Sequence, residues 1–512
     1  MLQSFRGGLI CLLFFLAYSA DAQDIRGYCG TKSSPIADEQ LDANIQYLAT
    51  HGDLLSTRAI TYVPIRFTIV RSASGSGGVA IKNVFRLLCK LNEDYADQEI
   101  QFYMKDDFKY LNNDAANTDP QSTGANILRI NKDAKALNIF FVADIKTNDP
   151  GSILGFFSPD NDYVVIKNSE VSYSPQTTSH ELGHFFSLRH TFYGWECEPW
   201  DEGDHGKTVT MNMAPCFNVP VELVNGSNCA TAADKVCDTP PDYNFGYGWP
   251  NDCRPFNVDV FDRNDELVRP SQNNFMSYFF GCTGYHFSQG QKNLIKADLN
   301  SAKRNYLKST YTPPAITLSP EVNYLSPIDS GQVLKTEPIT LTWEPVDGAT
   351  FYIVEYSRNK SFGSAVTVVE LVRTNQAVIP VSFFPNSTEY GYWRVTAMNE
   401  YATCNIQTEI ESFKLVSVLA SKQIDGLHNW SLKPSILNRS GNLTLEIDMA
   451  HAADVNVIIT SISGEQAVQS LDHRLTSGKN NIELNDLNLA PGAYLVTLRS
   501  SQGLSTKKLL VQ

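Results

Sequence analysis

His180-Glu181-Leu182-Gly183-His184 is the stretch of this chain whose residue types and spacing point most directly to chemistry. Residues four apart on an α-helix lie one above the other, about 5–6 Å apart at Cβ. Two imidazoles so placed can close on one Zn2+ from consecutive turns. Glu181, beside the first ring, can take a proton from water held at such a metal and later give one to a leaving amine. His190 follows six residues after His184. Six steps of about 100° put it on another face of a continuous helix, so it can be a third ligand only if the helix stops and the chain turns back. Three imidazoles leave a fourth position open, which catalysis requires and structural zinc sites lack. Zinc in that setting lowers the pKa of bound water to about 7 and polarises a carbonyl. The other six of the nine histidines are scattered and read as ordinary surface or core residues.

The spacing from His180 to His190 resembles the metzincin pattern H-E-x-x-H-x-x-G-x-x-H, with Ser187 where that pattern has glycine. If the turn needs a left-handed residue, serine costs about 1–2 kcal/mol there. Asn274-Phe275-Met276-Ser277-Tyr278 resembles the methionine turn that packs Met276 beneath the zinc site. Together with His190-Thr191-Phe192, Asn228-Cys229 and Asp234-Lys235-Val236-Cys237-Asp238-Thr239-Pro240, these runs resemble the pappalysin/cytophagalysin branch of metzincin metallopeptidases over residues 59 to 308. The resemblance implies a secreted zinc endopeptidase with His180, His184 and His190 as metal ligands and Glu181 as the catalytic glutamate. Tyr278 would swing in to donate a hydrogen bond to the developing oxyanion.

Further expectations follow from the same likeness. Cys29-Gly30-Thr31 is similar to the Cys-Gly element of related pro-segments, which implies a zymogen whose Cys29 thiolate fills the open zinc position. Activation would then cut near Thr57-Arg58-Ala59; the plainer alternative is a Cys29 held in a disulfide or left unpaired. Relatives that prefer arginine beyond the scissile bond use an acidic residue after the methionine turn. Here Phe279-Phe280-Gly281-Cys282 offers no carboxylate, so an apolar primed-side preference is expected. Relatives also bind Ca2+, and Asp201, Glu202, Asp204, Asp234, Asp238 and Asp242 could supply oxygen ligands, although no spacing fixes a site. The run Asp162 to Lys167 reads as the sheet's edge strand, to which an extended substrate could add.

The elements that must position these groups are legible in outline. Strands are expected at Tyr62 to Val70, Glu99 to Met104, Leu137 to Ala143 and Asp162 to Lys167, with an amphipathic helix from about Ala80 to Tyr95. Ser174 can cap the motif helix and Pro175 suits its first position. About ninety residues rich in Gly, Pro, Asn and Cys follow, then a helix over Ser288 to Leu307. Alternating strands and helices indicate an α/β or α+β enzyme domain, and the resemblance above implies that it is of the zincin/metzincin type.

The chain of 512 residues has room for about three domains. The net charge of −14 gives no general attraction to nucleic acid or anionic lipid. Arg6, the apolar run Leu9 to Ala17 and Ala20-Asp21-Ala22 read as a signal peptide over residues 1–22; no later segment is long and apolar enough to span a bilayer. Residues 23–58 read as a pro-segment, with one short helical pattern and no strong strand, and 59–310 as the catalytic domain. Six of the ten cysteines lie between Cys197 and Cys282, which suggests disulfides of open pairing, whereas Cys89 reads as a buried helix residue.

Residues 313–418 resemble a fibronectin type III sandwich, with Trp343 in its core and Tyr390 as its tyrosine corner, so the catalytic domain is expected to be followed by two all-β sandwich domains. Residues 428–512 resemble the C-terminal sorting domain of the type IX secretion system, which implies outer-membrane passage with that machinery as partner. Protein or peptide substrates are the other expected partners. The competing reading is an inactive zinc-binding scaffold serving as a surface adhesin.

Overall fold

The computed structural model describes residues 27–51, 59–173, 175–308, 311, 322–385, 387–400, 402–404, 409–416, 424–461, 466–500 and 503–512. The expected signal peptide over residues 1–22, Thr57, Arg58 and the expected helix cap Ser174 lie outside the described residues. The chain is multidomain, with an α/β region first and two β-rich regions after it. No helix among the described residues is long and apolar enough to cross a membrane.

In chain order the first region contains β1 (Gly27–Cys29), α1 (Pro35–His51), β2 (Thr61–Arg71), α2 (Ile81–Asp94), β3 (Ile100–Met104) and β4 (Lys109–Asn112). Next come α3 (Asp114–Thr118), α4 (Ala125–Ile130), β5 (Leu137–Val142), β6 (Ser152–Ser158), β7 (Tyr163–Lys167), α5 (Asn168–Tyr173) and α6 (Pro175–Phe185). After the Cys-rich stretch, which holds only α7 (Glu202–His205) among its described helices, α8 (Gln289–Asn300) closes the region. The sheet runs β1-β6-β7-β5-β2-β3, with β4 also on β2. Its pairs are parallel except β6 with β7. Strand β5 is buried at every position, as the middle of a sheet covered on both faces requires. Helices α2 and α6 pack on one face through Val84, Leu88, Leu91, Leu182 and Phe185.

Three expectations need correction here. Residues 162–167 do not form an edge strand: β7 lies between β6 and β5, so its backbone groups are already paired on both sides. Asp162 itself is a turn residue with φ of 56°, whose carboxylate accepts hydrogen bonds from Arg304 and Tyr306. Residues 23–58 do contain a strand, β1, and their helix is long, at 17 residues. Three residues are too few for an alternation to show, and β1 owes its extension to pairing with β6. The last helix breaks at Ser301, which is extended, and a 3-10 turn follows over Ala302–Leu307.

Among the described residues four disulfides join Cys89–Cys404, Cys197–Cys216, Cys229–Cys237 and Cys253–Cys282, and Cys29 is free. Cys89 is therefore not a buried apolar residue. It lies one turn beyond Phe85, on the flank of α2 where Phe85 stacks on Phe351 of the following β region at 5.2 Å between ring centroids. Lys82 and Arg394 meet on Glu355 at the same junction, and Phe351, Ile353 and Met398 belong to one core with α2.

That second region pairs a sheet of β8 (Tyr324–Ser326), β10 (Ile339–Trp343) and β13 (Gln376–Ile379) with one of β9 (Gly331–Leu334), β11 (Phe351–Ser357), β12 (Thr367–Val372), β14 (Tyr390–Met398) and β15 (Glu411–Val416). Trp343 and Trp393 are buried in its core. Tyr390 begins β14 opposite Lys414. In the third region, a sheet built on β18 (Ser440–Met449) faces one centred on β22 (Gly492–Ser500) across a separate apolar core.

Candidate metal centre

Helix α6 carries His180, Glu181 and His184 on a buried face. Gly155 of β6 and Gly183 of α6 permit this packing. A Cβ at Gly155 would lie 3.1 Å from Glu181 Cγ and 3.0 Å from Val165 O, and one at Gly183 would collide with Met276 Sδ. Met276 is fully buried against the helix, and its carbonyl accepts from Thr191 N, just past the last histidine.

The chain turns back where the motif needs it to. Leu188 N donates to Gly183 O and Ser187 N to His184 O, both at 2.9 Å, which is the Schellman arrangement ending α6. Ser187 takes the left-handed position, with φ of 71°. Its hydroxyl accepts from Asn44 Nδ2 of α1 at 2.8 Å, a contact that glycine could not make.

The turn brings His190 back to the helix. His184 Nε2 lies 3.2 Å from His180 Nε2 and 3.1 Å from His190 Nε2. Two nitrogens about 2.0–2.1 Å from one tetrahedral zinc stand about 3.3–3.4 Å apart, so the three Nε2 atoms fit a single ion. Each Nδ1 is already engaged: His180 with Phe275 O at 2.6 Å, His184 with Leu188 O at 2.8 Å and His190 with Glu196 Oε1 at 3.1 Å. Burial, then the neighbouring His190, lowers the pKa of His180 to about 3 and holds that of His184 well below the usual range. These rings are neutral, as ligation requires. Burial raises Glu181 to about 7, and its Oε1 is buried with no hydrogen-bond partner among the described residues.

Cys29 Sγ completes the cluster, with its sulfur and the three imidazoles all within 4.8 Å of one another. Burial, then Glu181, raises the thiol's pKa well above its ordinary value, a bias that a cation among the imidazoles would invert. The segment carrying Cys29 lies along β6 in parallel, with Cys29 opposite Gly155 and Gly30 N donating to Gly155 O at 2.8 Å. Tyr278 OH accepts from Cys29 N at 3.1 Å and donates to Cys29 O at 3.3 Å. Thr31 Oγ1 donates to Glu181 Oε2 at 2.8 Å and accepts from Phe157 N. Helix α1 is pinned through Asn44 to Ser187 and Asp298, through Asp38 to Arg189 and through Asp42 to Lys235. A cleft of about 890 Å3 flanks Cys29 and His190, and a smaller recess beyond His180 and Glu181 is walled by Leu154, Thr177, Phe280 and Tyr285.

The six acids considered for calcium do not form one site. Asp201 caps α7, and Asp238 accepts from Ser288 Oγ and Gly290 N at the start of α8. Glu202 and Asp204 are exposed. Asp242 ties Thr191 Oγ1 to Ser277 Oγ, at 3.0 and 2.8 Å, and so links the third histidine's strand of chain to the methionine turn. Asp234 and Asp242 are buried near Glu222, whose Oε2 has no hydrogen-bond partner among the described residues. Sequence reasoning missed Thr31, Glu196 and Glu222. Of these only Thr31 had a signal, its place two residues from Cys29.

Residues 439–512 match the family described as a secretion system C-terminal sorting domain. An extracellular metalloprotease of Pyricularia oryzae is 30% identical over 164 residues, covering 28% of this chain and 56% of that protein. One of Colletotrichum graminicola is 30% identical over 194 residues, covering 34% and 66%. The chain thus spans between about half and two thirds of the length of these relatives. A mutant of Tannerella forsythia promirolysin is similar at 16% identity and a TM-score of 0.33, covering 54% of this chain and 96% of that one. The sorting domain and the extracellular relatives make this a secreted protein.

Proposed function

We propose that the chain is a latent, secreted zinc endopeptidase of the metzincin type, related to the pappalysins, that hydrolyses peptide bonds in proteins. The observation that carries this reading is the convergence of His180, His184 and His190 through Nε2 while every Nδ1 is held elsewhere. Those three residues would hold the ion, which when bound supplies Lewis acidity toward a carbonyl and toward water. Glu181, raised to about 7 by burial, can take a proton at Oε2 near neutral pH and return it to the leaving amine. Tyr278 has its hydroxyl on a main-chain N–H and C=O of the bound segment, and the same donor can serve a substrate carbonyl as charge develops on its oxygen. With residues 27–31 gone, β6 becomes the sheet edge to which an extended substrate adds.

Residues 23–58 act as the pro-segment, with Cys29 as the latency ligand. Residues 59–310 form the catalytic domain and 313–418 a fibronectin type III-like spacer. Residues 428–512 engage the type IX secretion machinery. The test is proteolysis of casein by chain freed of residues 23–58, with zinc content measured in parallel. One zinc per chain and activity lost in Glu181→Ala are expected. A zinc-loaded, correctly processed protein that cleaves nothing would leave the scaffold reading standing instead.

A further inference from the structure

His180 and His184 are aimed by a helix, but His190 comes from the chain beyond the turn and needs another support. Phe192 stacks on its ring at 4.6 Å between centroids, which fixes the plane but not which nitrogen carries the proton. The helix-borne rings give their Nδ1 protons to neutral backbone carbonyls, whereas His190 alone faces a carboxylate, Glu196 Oε1 at 3.1 Å. That carboxylate is itself held. Its Oε2 accepts from Gly194 N at 2.7 Å, the preceding Trp195 is buried against Tyr243, and the following Cys197 is bonded to Cys216.

We infer that Glu196 is a positioning residue of the metal centre, its fixed carboxylate accepting the Nδ1 proton of His190 so that Nε2 turns its lone pair toward the other two rings. An ionised acceptor also makes the imidazole a stronger donor, and loss of such a partner typically lowers metal affinity about 10–100-fold. The inference rests on the three-histidine reading above.

The experiment measures Zn2+ affinity by chelator competition in the full chain carrying Cys29→Ala and Glu181→Ala, which neither latches nor cleaves itself. Onto this background Glu196→Ala and Glu196→Gln are added. Glu196→Ala should bind Zn2+ about 10–100-fold more weakly, with Glu196→Gln in between because its amide oxygen still accepts. The metal-free Tm should not change, and the visible spectrum of the Co2+ form should. Affinities within about two-fold of the background, or losses matched in both variants by a lower metal-free Tm, would overturn the positioning role. A background chain that binds no Zn2+ would instead overturn the three-histidine site.

Discussion

Thr31 Oγ1 donates to Glu181 Oε2 at 2.8 Å while Cys29 Sγ lies 3.4 Å from the same oxygen. The residues of one short segment thus engage the base and face the imidazoles together. The proposed latency would have two parts on this geometry: a sulfur toward the metal position and a hydroxyl that occupies the carboxylate. In uncleaved chain, Cys29→Ala should release part of the peptidase activity, Thr31→Val a smaller part, and the double variant the most. Initial rates on a quenched peptide, with chain length followed alongside, measure this. A Cys29→Ala proenzyme as silent as wild type would remove the thiol from the mechanism.

Ser187→Gly should act with opposite sign in the two forms of the protein. In the mature form, relief of the left-handed serine favours the turn by about 1 kcal/mol, partly offset by the greater freedom of unfolded glycine. In the proenzyme the change strips Asn44 of a buried acceptor, which costs about 1–3 kcal/mol. Thermal melts of both forms should show a small rise for the mature protein and a fall for the proenzyme.

Burial raises the carboxyls of Glu222 and Asp234 above the usual range, and the charge on Asp234 raises Glu222 further. An acid raised in the folded state binds more protons there than in the unfolded chain, so stability falls as pH climbs from the ordinary carboxylate range through the raised values. Asp242 raises Glu222 as well, so the three buried carboxyls repel one another when ionised, and a Ca2+ bound among them would relieve that repulsion. With a calcium-selective chelator, Tm should decline from pH 5 to pH 9, and added Ca2+ should flatten the decline. A Tm indifferent to pH would show that these carboxyls titrate as they do in the unfolded chain, and one indifferent to Ca2+ that they bind none.

The recess beside Glu181 is walled by Leu154, Phe280 and Tyr285, and the loop Phe279-Phe280-Gly281-Cys282 contributes no carboxylate. An apolar residue should therefore dominate the first primed position in cleavage profiles of a peptide library, and Phe280→Asp should shift the profile toward Arg and Lys. Strong enrichment of Arg with the wild-type protein would count against this assignment of the recess.

The parts of the site that were legible in the sequence are those set by local spacing. Helix periodicity alone puts His180 and His184 on one face, and the departure at Ser187 marks a turn that needs a left-handed residue. Thr31 and Glu222 act on groups far away in sequence, and Glu196 reaches His190 through a loop with no repeating pattern to mark it; only Thr31's nearness to Cys29 hinted at a role. The order of the strands was hidden for the same reason. Residues 163–167 look like any short apolar strand, and only the pairing of β6 on one side and β5 on the other removes them from the edge. Cys89 misled because its apolar neighbours are truly buried, while it sits on the one flank of α2 that meets the next region.

The bond from Cys89 to Cys404 spans 315 residues of chain. A protease that nicks the backbone anywhere between those two cysteines yields fragments that still travel as one particle until a reductant is added. Trimming beyond residue 404 meets no such restraint among the described cysteines, so residues 428–512 can be removed without reduction while the first two regions stay joined. Gels run with and without thiol would show the asymmetry directly, as a mass change that appears for internal nicks only after reduction and for tail removal in either case.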